Sequence, residues 1–167
     1  VLFGTPYPIH GEINLGVLKK DQVNIIVHGH EPLLSEMIVV ASQDPEMLQY
    51  AATKGAKGIV LAGMCCTANE ILVRHGMPIA GNYLQQELAI ITGAVEAMVV
   101  DVQCIMENLA NVARCYHTKL ITTNTRCKIA SGETIHIQFD EHHALEDAKR
   151  IVKTAIDNYT NRSAEVL

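Results

Sequence analysis

Five short runs along the chain are almost continuously apolar and rich in β-branched residues: VNIIVH (23–28), GIVLA (58–62), AMVVDV (97–102), KLITT (119–123) and, more weakly, TIHIQF (134–139). Unbroken apolarity over so few residues is the pattern of strands buried on both faces of a parallel sheet; a strand with one wet face alternates instead. Between the runs the apolar positions change to a helical period. The clearest case follows Asp140, where Ala144, Leu145, Ala148, Ile151, Val152, Ala155, Ile156 and Tyr159 fall on one stripe. Glu141, Glu146 and Asp147 come early in that segment and Lys149, Arg150 and Lys153 later, the order that complements a helix dipole. The same spacing predicts helices around 34–42, 45–54, 68–75, 84–93 and 106–115. Strand and helix alternate, so the expected fold is α/β: a doubly wound, mostly parallel, Rossmann-like sheet in a three-layer α/β/α arrangement.

Residues 1–20, with Gly4, Pro6, Pro8, Gly11 and Gly16, read as a loop-rich entry from a preceding region, and 21–167 as the Rossmann-like domain. The first residue is Val1 rather than Met, which suggests a segment of a longer chain. Composition adds limits. Of 167 residues 49% are hydrophobic, ample for one core, and with no Trp that core must be aliphatic. The net charge is −5 and the 13 Lys and Arg are scattered, which argues against a nucleic-acid partner. No apolar run approaches the roughly 20 residues of a membrane span, and no signal peptide is visible. Five cysteines, an odd number without the spacing of a secreted disulfide framework, predict a reduced, cytoplasmic chain whose cysteines are buried, catalytic or metal-binding.

In open α/β sheets ligands bind beyond the carboxyl ends of the strands. The first run is followed by HGHEP, with His28 and His30; the second by GMCCTANE, with Cys65 and Cys66; the third ends in VDVQC, with Cys104. Three successive strands thus deliver soft or borderline metal donors to one edge, although sequence does not say which strands are neighbours. Thr67 and Glu70 fit a capping box, which would set Cys66 just before a helix N-terminus, where amides and dipole favour a thiolate. Pro32 and Ser35 predict another helix soon after His30. A cysteine near a strand end is ordinarily a small core residue; that reading serves for Cys115, on a helix face, and Cys127, in a loop. One of His28 and His30 is expected to pack, and His75, His117, His136, His142 and His143 read as surface or hydrogen-bonded groups. One imidazole and two thiolates suit zinc with an open fourth position, or part of an iron–sulfur or mixed-metal cluster, and spacing leaves both open.

The stretches INLGVL, VNIIVHGHEPLLSEMI, GMCCTANEILVRHGMPIAGNYLQQELAIITGA, EAMVVDVQCIMENLA and HTKLITTN together resemble the catalytic subunits of anaerobic, nickel-dependent carbon monoxide dehydrogenases over nearly the whole chain. The resemblance implies the central Rossmann-like domain of a cytoplasmic homodimer that interconverts CO and water with CO2, two protons and two electrons at a Ni-4Fe-4S-type cluster. It implies that His30 and Cys66 bind the iron outside the cluster core and that Cys104 binds another iron, with His28 and Cys65 packed behind them. It further implies additional 4Fe-4S clusters elsewhere in the full-length chain and a ferredoxin-like electron carrier, with an acetyl-CoA synthase subunit as a further candidate partner. The direction of the reaction and the acceptor stay open. Two alternatives remain: a hybrid-cluster-type reductase, disfavoured because its differently spaced THGE-like motif is not found, and a non-catalytic metal-binding module.

Overall fold

The computed structural model describes residues 8–102, 105–129 and 134–163. Strands β1 (Val23–His28), β2 (Ile59–Met64), β3 (Ile79–Gly81), β4 (Ala97–Val100), β5 (Lys119–Thr122) and β6 (Ile135–His136) form one sheet in the order β3-β2-β1-β4-β5-β6. Every pairing is parallel. Helices α1 (Pro32–Gln43), α2 (Pro45–Thr53), α3 (Cys65–Glu70), α4 (Gln86–Ile91), α5 (Leu109–Arg114) and α6 (Ala144–Asn158) supply the crossovers and the final covering segment.

Alternation along the strands feeds two cores. Val23, Ile25 and Val27 of β1, with Ala97, Val99 and Ile121, pack against α1, α2 and α6. Ile26, Met98, Val100 and Leu120 face the other way, onto Ala89 and Ile90 of α4 and Leu109, Ala110 and Ala113 of α5. Both faces of the central strands are therefore dry, which is why their sequences read as unbroken apolar runs. The doubly wound α/β fold expected from those runs is the fold observed. Helix α6 carries most of the predicted stripe, with Ala148, Ile151, Val152, Ala155 and Ile156 fully buried, but Leu145, counted in that stripe, is exposed.

Several boundaries differ. Strand β3 was not legible: it has three residues directly after Pro78, too short for any periodicity. The run at 134–139 pairs through only two residues, at the edge of the sheet. The helix expected at 84–93 is a 3-10 turn over Tyr83–Gln85, opened by an Asn82/Gln85 capping box, followed by α4. The one expected at 106–115 is confined to α5.

The amino-terminal edge of the sheet is locked by a buried ionic network. Glu96, fully buried just before β4, accepts hydrogen bonds from the Asn24 N–H (2.6 Å) and from Arg162 Nε (2.7 Å) and Nη2 (2.6 Å), and His117 Nε2 lies 3.0 Å away. Arg162 also donates to the carbonyls of Lys20 (2.6 Å) and Gln22 (2.8 Å). Asn158, at the end of α6, donates to the carbonyls of Glu96 and His117. The predicted role of His117 as a satisfied polar group holds, and His75 is likewise paired, with Glu36 at 2.7 Å.

Candidate metal centre at the carboxyl edge of the sheet

The strand order sets β1 between β2 and β4. The chain leaves β1 toward β2 on one side and returns through β4 on the other, so the topological switch point lies beyond the carboxyl end of β1. The register is tight there: His28 sits opposite both Met64 of β2 and Val100 of β4. The residues that follow these three leave the sheet side by side. They are Gly29 and His30, Cys65 and Cys66, and Asp101. The three strands picked out by their donors are neighbours, although they are not successive, because β3 intervenes in the chain and lies on the far side of β2.

Strand β2 runs into α3 without a linker. Cys65 makes the bend with φ of 60°, a positive value shared by no other non-glycine residue among the described residues. Such a left-handed backbone is strained for a residue with a Cβ. Gly63 lets the helix fold back this closely: a Cβ there would lie 2.5 Å from the Ala68 Cβ and 2.6 Å from its Cα. This corrects the capping-box reading. Helix α3 starts at Cys65, its N-cap is Met64 with no side-chain cap, and Glu70 is its last residue. Cys66 is the second residue of the helix rather than the one before it. Thr67 is buried, and its hydroxyl lies 2.5 Å from the Ser35 hydroxyl on α1. A turn made by a strained residue leaves no room for a capping residue, and a buried Thr spends its hydroxyl on tertiary contact.

The loop after β1 is fixed from two sides. The Thr67 N–H donates to the Gly29 carbonyl at 3.1 Å, tying the loop to α3. The Asp101 carboxylate accepts from the His30 N–H at 2.8 and 3.0 Å and from the Glu31 N–H at 2.7 Å, and it also accepts from the Val102 N–H. Gly29 has φ of 144°, and a Cβ on it would come 1.7 Å from Asp101 Oδ1, so the motif HGH needs its glycine twice over. His28 is fully buried, the packed member of the pair, whereas His30 is half-buried. Cys65 and Cys66 are half-buried as well. Cys104 lies outside the described residues; close by in sequence, Asp101 holds the loop just described and the Met106 N–H donates to the buried Gln86 Oε1 at 3.1 Å. Cys115 departs from its core reading: it is exposed at the end of α5. Cys127 closes a 3-10 turn, half-buried.

Asp101 and Gly29 escaped the sequence reading. The signal was a carboxylate ending an apolar run, a residue type almost never buried without partners, together with a glycine between two histidines.

Among the described residues, the donors that leave the sheet at this edge are the His30 imidazole and the Cys65 and Cys66 thiols, all half-buried. That chemistry suits zinc or an iron–sulfur centre. Among the described residues, no group of three or more His, Cys, Asp or Glu is arranged to hold a metal ion by itself. A groove of about 450 Å3 between α2 and α6 is lined by none of these residues, and its Lys149 is engaged by Asp44 at 2.6 Å.

An open parallel sheet in the Rossmann order, with histidine and cysteine carried to its switch point, defines a doubly wound α/β protein with its ligand crevice at the carboxyl edge. Comparison with known proteins narrows the class. The model of the Prismane/CO dehydrogenase family matches residues 1–167, and the chain belongs to that family. It is 58% identical over 165 residues to carbon monoxide dehydrogenase 1 of Methanosarcina mazei, covering 99% of this chain and 26% of that protein. The as-isolated, nickel-free carbon monoxide dehydrogenase of Thermococcus sp. AM4 superimposes with a TM-score of 0.90 at 56% identity, over 96% of this chain and 25% of that one. An acetyl-CoA synthase/carbon monoxide dehydrogenase with NiZn[Fe4S4] and NiNi[Fe4S4] clusters in its alpha subunits superimposes with a TM-score of 0.88 at 51% identity, over 96% and 23%. The chain spans about a quarter of the length of the curated relatives it matches.

Proposed function

We propose that this chain supplies part of the ligand set of a nickel–iron–sulfur cluster of the Ni-4Fe-4S type, in an oxidoreductase that interconverts CO and water with CO2, two protons and two electrons. The observation that carries the reading is the register of β2, β1 and β4, whose ends set the HGH loop, the CC elbow and the Asp101 strand end side by side at the switch point. The names of the similar proteins support the reaction.

In this reading His30 and Cys66 hold the iron outside the cluster core, Cys104 holds another iron, and His28 and Cys65 back them. When bound, the cluster supplies the redox and Lewis-acid chemistry. The chain's own residues bind and orient it. The ligand atoms must be a neutral imidazole nitrogen and deprotonated thiols, so loading releases protons. Met64, Val100 and Ile26, near these strand ends, are fully buried. The relative with acetyl-CoA synthase supports such a subunit as one partner. Further 4Fe-4S clusters, a ferredoxin-like carrier, a homodimer and a cytoplasmic setting belong to the same proposal, and all concern the full-length polypeptide.

The test is anaerobic reconstitution of the full-length polypeptide with iron, sulfide and nickel, followed by CO-dependent viologen reduction. Turnover that disappears with His30→Ala is expected. A fully loaded wild-type polypeptide that does not oxidise CO refutes the reading.

A further inference from the structure

We propose that Asp101 is the positioning residue of this centre: its buried carboxylate moulds the loop that carries His30 and fixes it against the end of β4. The inference rests on the proposed role of His30 as a ligand.

The carboxylate is 1% exposed. Its described partners are main-chain amides: His30 and Glu31 from the loop after β1, and Val102 from its own strand end. A buried polar group needs hydrogen-bond partners, and these three amides supply them. Two of the three come from across the switch point, so the Asp101 carboxylate extends the β1–β4 pairing, which ends with the Asp101 N–H donating to the His28 carbonyl at 3.4 Å, out onto the loop after β1. The loop wraps the carboxylate so closely that Gly29 has no space for a Cβ. The other side of the same loop is held by the Thr67 N–H, one residue after Cys66. Two joints therefore set the loop after β1, α3 and the end of β4 relative to one another, and Asp101 is the one made by a side chain. That makes it the joint a substitution can remove.

A merely structural role would show in unfolding and not in the metal. The readout is therefore spectroscopic: the hyperfine coupling of the histidine nitrogen on the cluster's pulsed EPR signal, in the full-length, metal-loaded protein. Asp101→Asn has nearly the same shape but cannot accept all three amide bonds, because its amide nitrogen is a donor. The structure leaves about 150 Å3 of cavity beside Asp101, between Glu31 and Thr123, so the substituted side chain and a water can be accommodated. The expected result is an approximately tenfold smaller share of clusters showing the nitrogen coupling, the size typical of lost support behind a metal ligand, with the cysteine-bound iron retained. Adding Asp101→Asn to His30→Ala should lower iron content no further than His30→Ala alone. Wild-type nitrogen coupling in Asp101→Asn overturns the proposal. If His30→Ala itself keeps the coupling, the ligand role of His30 fails first, a result recognisably different. Amide exchange in the wild-type protein before metal loading needs no variant: the His30 and Glu31 amides should exchange slowly, and exchange as fast as in an open loop overturns the proposal even if Asp101→Asn does not fold.

Discussion

Replacing Arg162 by Ala should be among the most damaging single changes far from the candidate centre. The guanidinium donates to Glu96 from Nε at 2.7 Å and Nη2 at 2.6 Å, and the side chains of the pair are 7% and 0% exposed. Removing it strands a buried carboxylate, an event that costs about 3–5 kcal/mol. Glu96 keeps the Asn24 N–H and has His117 within 3.0 Å, which moves the figure toward the low end, about 3 kcal/mol. The Lys20 and Gln22 carbonyls lose a donor too, although water can reach them. With a urea dependence of about 2 kcal/mol per molar, the midpoint of unfolding at neutral pH should fall by roughly 1.5 M. Circular dichroism in a urea series measures it, and the slope should stay unchanged. The paired variant Arg162→Met with Glu96→Leu removes both charges and should unfold at a higher urea concentration than Arg162→Ala. A midpoint shift under roughly 0.5 M for Arg162→Ala, or a paired variant weaker than the single one, would refute the reasoning.

Other expectations concern particular joints. Lys149, hydrogen-bonded and oppositely charged, holds the Asp44 carboxyl below the usual carboxylate range, and the Glu46 amide adds to this. A depressed carboxyl contributes stability above its unfolded value, about 3.9, and loses it as pH falls through the lower folded value. Asp44→Asn keeps the cap of α2 but removes that charge, so its unfolding temperature should drop less than wild type between about pH 5 and pH 3; an equal drop would contradict the assignment. Gly63→Ala drives a Cβ into Ala68 and should destabilise by about 1–3 kcal/mol in calorimetry; an unchanged melting temperature would show that α3 can move away freely. At Cys65 the backbone is left-handed, so Cys65→Gly should be more stable than Cys65→Ala by about 1 kcal/mol, and the reverse order would disprove the strain. In the reconstituted full-length protein Cys66→Ala should lose the iron that His30 shares, whereas Cys65→Ala should lose far less; equal losses of iron per chain would show the pair divided wrongly.

How much of this was legible in the sequence follows from physical range. The central strands declared themselves because burial on both faces leaves almost no polar position: Ala97 to Val100 has none, and Val23 to Val27 has only Asn24, which is buried and hydrogen-bonded. The stripe of α6 was equally plain. The edge elements were not: β3 and β6 owe their pairing to a neighbour rather than to their own pattern. The same division runs through the candidate centre. His30, Cys65, Cys66 and Cys104 were picked out by type and by position after a strand, which is local information. That their strands are neighbours depends on sheet order, which is not. Thr67 misled for a related reason. Its spacing to Glu70 satisfies a local capping rule, yet its hydroxyl is taken up by Ser35, 32 residues away, and the bend is made by Cys65.

The two edges of the sheet divide the work of stability and site. At the amino-terminal edge the Glu96 carboxylate pairs with Arg162 and accepts the Asn24 N–H, and Asn158 donates to the Glu96 carbonyl, which clamps the last helix to the strands. At the carboxyl edge the backbone is forced, with Cys65 at φ of 60° and Gly29 at 144°, both beside the expected ligands. Strained backbone persists only where its surroundings over-determine it. Here the surroundings are the Gly63–Ala68 contact, the Ser35–Thr67 hydroxyl pair, and the Thr67 and Asp101 bonds to the loop. Substitutions at the first edge should therefore move the unfolding midpoint and leave metal loading alone. At the second edge Asp101→Asn, whatever it does to the midpoint, should change metal loading. A pair of edges that failed to separate in this way would mean that the crevice is shaped by the fold as a whole, and that the joints at Thr67 and Asp101 are consequences of the ligand geometry rather than its cause.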